Sequence, residues 1–273
     1  MHSLTAALYI VATPIGNDGD MTPRALQVLA AADYLLAEDT RRYGLRAKQW
    51  GVPTKSIALH DHNEQDKAQQ VMEWVEQGAS VALVSDAGTP LISDPGYVLV
   101  EAFHQRGLKV VPVPGVSSVV TALSISGLPT HNFYFEGFLP SKGAARVARL
   151  SALRGLDSTL VFLESPRRIV ELLEGLKQVF GGGEVALCRE LTKTYETVLR
   201  GSVDHLIQAV SDDPQQQLGE MVVVFKPLPV GVDVGHWHSV LNDLAAEMPP
   251  RKAAKLVAKW SGLNARDLYA LLV

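Results

Sequence analysis

An α/β fold built as two α/β domains followed by a small helical module is the architecture this sequence predicts, and three observations predict it. Short apolar runs alternate with amphipathic stretches of helical length, the pattern of a mostly parallel sheet flanked by helices. The apolar runs end in loops of Gly, Pro, Ser, Thr and Asp, which is where such sheets place ligands. The pattern is broken at Pro112, Pro114 and Gly115, and again at Pro227, Pro229 and Gly231. We therefore expect an N-terminal domain over 1–113, a second over 114–228 with a cofactor cleft at their interface, and a helical module over 235–273.

The first strand is Leu8 to Ala12, broken by the turn residues Thr13 to Gly19. Thr22 suits an N-cap with Pro23 at the first helical position, and Ala25, Leu26, Leu29 and Ala30 make the apolar face that follows. The strand Tyr34 to Ala37 delivers the polar run Glu38 to Arg42. Leu59 leads to a second such cluster, His60 to Glu64. Ala68, Val71, Met72 and Val75 give the spacing of a helix over 64–77, closed by Gly78. Val81 to Val84 has no polar alternation and runs straight into Ser85, Asp86, Ala87, Gly88, Thr89 and Pro90, so it reads as a buried strand feeding a loop. A helix at about 96–106 and the strand Lys109 to Val113 complete the domain.

The second domain opens with a helix of small residues, Ser117 to Ser126. The strand Phe133 to Phe138 and a basic helix over 143–154 follow. Thr159 to Leu163 is a buried strand ending in Glu164 to Arg168. Val185 to Cys188 ends in Arg189 to Lys193, and Gly219, Glu220 and Met221 introduce the strand Val222 to Phe225. Helices at 236–247, 251–260 and 264–272 form the module.

Composition bounds the function. The 273 residues carry a net charge of −4, which excludes a protein that coats nucleic acid nonspecifically. Basic residues still cluster, at Arg41, Arg42, Arg46 and Lys48, at Lys142, Arg146, Arg149 and Arg154, and at Arg251, Lys252, Lys255 and Lys259; solvated helix faces would explain each cluster singly. No apolar run approaches the roughly 18 residues of a membrane span. One cysteine, Cys188, read as a small core residue, excludes an internal disulfide, and a cytoplasmic protein is expected. His60 and His62 have the look of metal ligands, although a solvated pair is the better reading, and no metal is expected.

The loop after Val84 offers hydroxyls, carboxylates and glycines able to hold a small polar molecule, with Asp86 and Thr89 the foremost polar candidates; an ordinary turn would carry the same residues. Ser117 and Ser118 could equally cap their helix, and Glu220 is favoured as structural. No GxGxxG follows the first strand, so no dinucleotide fingerprint is present.

TPIGN at 13–17, AEDTRR at 37–42, LHDHNE at 59–64, SDAGTPLISDPG at 85–96, PVPGVSS at 112–118, EGFLP at 136–140, ESPRR at 164–168 and RELTKTYET at 189–197 occur in one order along the chain. With them the chain resembles the bacterial methyltransferases that modify a cytidine ribose 2′-oxygen in 16S ribosomal RNA, members of the tetrapyrrole-methylase (class III methyltransferase) superfamily. The resemblance implies S-adenosylmethionine as methyl donor, two α/β domains with the donor between them, a homodimer, and an RNA-binding C-terminal module; the lack of a membrane-length apolar run separately indicates no membrane role. It adds Pro14, Gly16, Ser117, Ser118, Leu163, Gly219, Glu220 and Met221 to Ser85, Asp86, Gly88 and Thr89 as cofactor candidates. Arg42, Lys142, Arg167, Lys193, Arg251, Lys252, Lys255 and Lys259 are the RNA candidates. Asp39 and His60 are candidate bases and Arg41 a phosphate anchor; an Asp39–Arg41 pair that merely holds a loop is the competing reading. Asp18 and Gly19 depart from the bulky apolar residue often found after Gly-Asn, and the end at Val273 predicts a short last helix. A methylase of a small molecule such as a precorrin, and a noncatalytic RNA-binding protein, are the competing functions.

Overall fold

The computed structural model describes residues 4–53, 55–60, 63–228, 234–261 and 265–272. Strands β1 (Ala7–Val11), β2 (Tyr34–Ala37), β3 (Ser56–Ala58), β4 (Ser80–Val84) and β5 (Val110–Val113) form an all-parallel sheet in the order β3-β2-β4-β1-β5. Helices α1 (Pro23–Ala31) and α2 (Thr40–Trp50) pack on one face; α3 (Glu64–Glu76) and α4 (Tyr97–Gln105) pack on the other. Alternate residues of β4 serve the two layers, Ala82 and Val84 meeting α1 and α2 while Val81 and Leu83 meet α3 and α4. This two-sided burial is why the strand is apolar without alternation.

Thr22 caps α1 as its sequence predicts, its Oγ1 accepting the Ala25 N–H at 3.1 Å with Pro23 in the first turn. Helix α2 was not expected: the polar run Glu38 to Arg42 is both a strand end and a helix start, because Asp39 accepts the first free N–H groups of that helix. Pro112 also departs from the expected hinge. It lies inside β5, paired in register with Ile10, and is tolerated because β5 is an edge strand.

The second sheet contains β6 (Phe133–Phe138), β7 (Thr159–Glu164), β8 (Gly183–Arg189), β9 (Thr197–Ser202) and β10 (Met221–Pro227) in the order β6-β7-β10-β8-β9. Only β6 and β7 run parallel; the other neighbours are antiparallel. Helices α6 (Gly143–Leu153), α7 (Ile169–Phe180) and α8 (Val203–Asp212) cover one face through Leu150, Leu172, Leu176 and Leu206. The opposite face, with Val161, Ala186, Cys188, Val222 and Val224, packs on α5 (Ser118–Ser126) and receives Ile15 from the loop after β1. That second face is where the two halves meet.

Helices α9 (Val234–Glu247), α10 (Pro250–Ser261) and α11 (Ala265–Ala270) share a small core of Leu241, Ala253, Ala254, Val257 and Leu268. The expected linker residues Pro229 and Gly231 lie outside the described residues, and Pro227 belongs to β10. Among the described residues no helix is long and apolar enough to cross a membrane.

Candidate active site

Because β1 to β4 run in one direction, the loops that follow them open on a single edge of the first sheet. Two of these loops are tied together, Thr13 and Gly88 exchanging backbone hydrogen bonds of 2.8 and 3.0 Å. Gly88 has φ +80°, and a Cβ there would stand 3.3 Å from Ile15, so the close approach of the loops depends on the missing side chain. Ile15 and Ala87 are thereby carried to the second sheet, and a cavity of about 380 Å³ opens between the halves. Ser118 of α5 lines it, with Leu163, Glu164 and Pro166 on one side and Cys188 and Gly219 to Val222 on another.

Five cofactor candidates, Ser118, Leu163, Gly219, Glu220 and Met221, line this cavity. The others build its surround. Ser85 donates to the Ala87 carbonyl at 3.2 Å, Thr89 donates to the Val116 carbonyl at 2.9 Å, and the Pro14 carbonyl accepts from Arg46 at 3.1 Å. Gly16 abuts the loop at Leu191 to Lys193 so closely that a side chain would collide with Lys193. Ser117 lines a second cavity with Thr22, Gly115 and Thr121. Asp86 faces α2, its Oδ1 accepting the Asp39 N–H at 3.3 Å and its Oδ2 meeting Arg42 at 2.9 Å.

Three features stand in or behind the cavity wall. Glu164 is buried at the end of β7; its Oε1 accepts the Ser165 N–H and Arg168 Nε, both at 2.7 Å, and Arg168 Nη2 stands 2.6 Å away, whereas Oε2 is buried without a hydrogen bond. Lys193 bridges Glu190 at 2.8 Å and Glu220 at 2.9 Å. Burial disfavours charge on both Glu190 and Lys193, but the hydrogen bonds outweigh it, leaving the Glu190 carboxyl below and the Lys193 ammonium above their ordinary values. Burial, seconded by the Glu196 charge, pushes the Cys188 thiol up to about 12, so it is an inert part of the wall.

The candidate catalytic residues stand on the same edge of the sheet. Asp39 Oδ1 accepts the N–H groups of Arg41 and Arg42 at 2.9 and 3.3 Å, and the first of these bonds, helped by the Arg41 side chain, holds its carboxyl below the usual range. The exposed Arg41 reaches back to Asp39 at 3.5 Å. His60 is exposed beyond β3, its backbone N–H donating to Asn63 Oδ1 at 2.9 Å; His62 lies outside the described residues. Among the described residues no group of three or more His, Cys, Asp or Glu side chains is placed to hold a metal.

Of the RNA candidates, Lys142 and Arg167 are exposed, Arg42 and Lys193 are engaged as above, and Arg251, Lys252, Lys255 and Lys259 are all exposed on α10. The basic cluster of α6 is partly internal: Arg146 is buried against Glu171 at 2.6 Å and Arg149 meets Glu136 at 2.6 Å.

Residues 7–207 match the Tetrapyrrole (Corrin/Porphyrin) Methylases. The chain belongs to the tetrapyrrole methylase family. Residues 237–273 match the RsmI C-terminal HTH domain. The chain is 48% identical, over 96% of its own length and 92% of the relative's, to Ribosomal RNA small subunit methyltransferase I of Vibrio cholerae. It is 44% identical, over 96% and 93%, to the protein of that name in Escherichia coli O157:H7. Among solved tetrapyrrole-methylase folds, uroporphyrin-III-C-methyltransferase from Thermus thermophilus superposes with a TM-score of 0.57 at 23% identity, covering 81% of this chain and 94% of that one. Diphthine synthase does so with a TM-score of 0.61 at 14% identity, covering 80% and 89%. At these identities the superpositions speak for the fold.

The cavity fits S-adenosylmethionine, the methyl donor of tetrapyrrole methylases. Its volume lies within the usual range for small ligands, about 300–1,000 Å³. Leu163, Met221 and Val222 offer an apolar wall for a flat ring. Sequence reasoning passed over Ile15, Phe138 and Glu164 as lining residues, and at Ala87 expected only the backbone. Glu164 carried a signal, a charge terminating an otherwise apolar strand; the apolar three carried none, since their role depends on which face of the second sheet meets the first half.

Proposed function

We propose that the protein transfers a methyl group from S-adenosylmethionine to the 2′-oxygen of a cytidine ribose in 16S ribosomal RNA of the small ribosomal subunit. The observation that carries this reading is the extent of the match. Relatives named for the small ribosomal subunit align with 96% of the chain, basic helix α10 included, whereas the two superposed folds cover 80% and 81%. A methylase of small tetrapyrroles would leave the exposed cations of α10 without a use.

The donor supplies a methyl group on a positively charged sulfur. Residues 1–113 and 114–228 enclose it, and the apolar walls at Ile15, Leu163 and Met221 keep water from that group. Residues 235–273 hold RNA through Arg251, Lys252, Lys255 and Lys259, with Arg42, Lys142, Arg167 and Lys193 closer to the strand ends. Asp39, committed to the first turn of α2, orients Arg41 toward a phosphate. His60 takes the proton from the ribose hydroxyl. The exposed apolar side chains Tyr97, Val98, Val120 and Ile125 support a homodimer, and ribosomal RNA as acceptor supports a cytoplasmic location. Sedimentation should return about twice the monomer mass of 29.5 kDa.

Incubating small ribosomal subunits with methyl-labelled donor and mapping the label tests the reading. One labelled cytidine ribose in 16S RNA is expected. Label on a base, or transfer to a tetrapyrrole alone, overturns it.

A further inference from the structure

Phe138 lines the cavity between the two sheets, yet it is 58% exposed, whereas Leu163 beside it on β7 is half-buried and Met221 is buried. A bulge in β6 puts the ring there. Phe135 pairs with Val161 and the register then shifts, so that Gly137 meets Phe162 and Phe138 meets Leu163. Without the extra residue Gly137 would stand opposite Leu163, and Phe138 would fall on the other face of the sheet. Gly137 takes up the shift with φ +74°, and a Cβ there would stand 3.1 Å from Ser93 Oγ.

The segment after Phe138 is held firmly. Arg168 Nη2 donates to the Leu139 carbonyl at 3.2 Å, and Arg146 donates to the Pro140 and Ser141 carbonyls at 3.4 and 3.0 Å. Glu164 and Glu171 hold those two guanidinium groups in turn. The Arg168 bond also ties the turn at Pro166–Arg168 to the segment that ends in Lys142, which brings Arg167 and Lys142 to the same rim. Both of these cations are exposed, while Arg146, Arg149 and Arg168 around them are spent on Glu171, Glu136 and Glu164. A flat ring held rigidly at the cavity mouth, with two solvated cations on the same rim, suits an unpaired nucleotide: the ring faces the base and the cations face phosphates.

We propose that Phe138 is a positioning residue for the methyl acceptor. The cytosine of the target nucleotide, unstacked from the RNA, lies on the Phe138 ring, and Lys142 and Arg167 hold the phosphates on either side, which leaves the ribose 2′-oxygen over the donor cavity. This rests on the 2′-O-methylation reading given above. Stacking releases no counterions, so the ring and the two cations are separable by salt.

The test uses small ribosomal subunits and methyl-labelled S-adenosylmethionine. Phe138→Ala should lower kcat/KM for subunits about 5–150-fold. Phe138→Leu, apolar but not flat, should lose nearly as much, and Phe138→Tyr should keep the wild-type value. Calorimetry should give all three the wild-type affinity for S-adenosylhomocysteine. The double variant Lys142→Ala with Arg167→Ala should lower the slope of log subunit affinity against log salt by about 0.7–0.9 for each lost phosphate contact, whereas Phe138→Ala should leave that slope unchanged.

A wild-type kcat/KM in Phe138→Ala, or in Phe138→Leu, overturns the inference. Weaker binding of S-adenosylhomocysteine to Phe138→Ala assigns the ring to the donor and overturns it; a halved mass of that variant in sedimentation assigns the ring to a second copy of the chain and overturns it too. An unchanged salt slope in the double variant overturns the phosphate contacts. Each of these results leaves the proposed function standing. If the wild type labels no ribose, that function and this inference fall together.

Discussion

At the scale of single residues, the Glu190–Lys193–Glu220 bridge makes the cavity rim sensitive to acid in a defined direction. The Glu190 carboxyl is below its ordinary value of 4.5, so its contribution to stability is complete above that value and disappears as pH falls through the folded one. The melting temperature of the wild type should fall more steeply between about pH 5 and pH 3 than that of Glu190→Gln; parallel curves would remove the bridge from the account. Catalysis is tested at Asp39 and His60. Asn caps helices as well as Asp, so Asp39→Asn should keep α2 and near-normal single-turnover rates, while Asp39→Ala should lower the melting temperature. His60→Ala should slow single turnover by about 10²–10⁴-fold with both affinities intact, and an unchanged rate would return catalysis to positioning alone. Leu163, Met221 and Ser118 were legible through the family resemblance, which carried them over as cofactor candidates. The sequence did not reveal that Asp86, foremost among the candidates, turns its carboxylate to Asp39 and Arg42, since that choice depends on α2 standing beside β4.

At the scale of elements, α10 is the clearest functional surface, with Ala253, Ala254 and Val257 held in the module core and Arg251, Lys252, Lys255 and Lys259 turned to solvent. Replacing Lys252, Lys255 and Lys259 together by Glu should weaken binding to the small subunit or its RNA. Each lost phosphate contact should lower the slope of log affinity against log salt by about 0.7–0.9, and binding of S-adenosylhomocysteine should not change. An unaltered salt slope would move RNA recognition away from this helix. The strands and helices of the first sheet were largely legible, because buried parallel strands are apolar runs and Thr22-Pro23 marks a helix start without ambiguity. Helices α7 and α8 and strand β9 were not. Strand β9 lies at the sheet edge with its residues alternately half-buried and exposed, so it carries too little apolar pattern to stand out.

At the scale of the whole molecule, two sheets of different character meet across one cavity. The parallel sheet followed from the alternation of strands and helices. The mixed order of the second did not, because antiparallel pairing of β10 between β7 and β8 joins segments distant along the chain whose local composition is silent about direction. The cavity itself draws Ile15 and Ala87 from one half and Leu163, Cys188 and Met221 from the other. Its walls exist together only while both sheets are folded and docked, so a molecule seated there acts as a clasp on denaturation. Saturating S-adenosylhomocysteine at about 100 times its dissociation constant should add about 2.7 kcal/mol to unfolding. In scanning calorimetry it should also draw the melting of residues 7–113 and 118–227 into one endotherm, and two endotherms that keep their spacing would mean that the ligand grips one half alone.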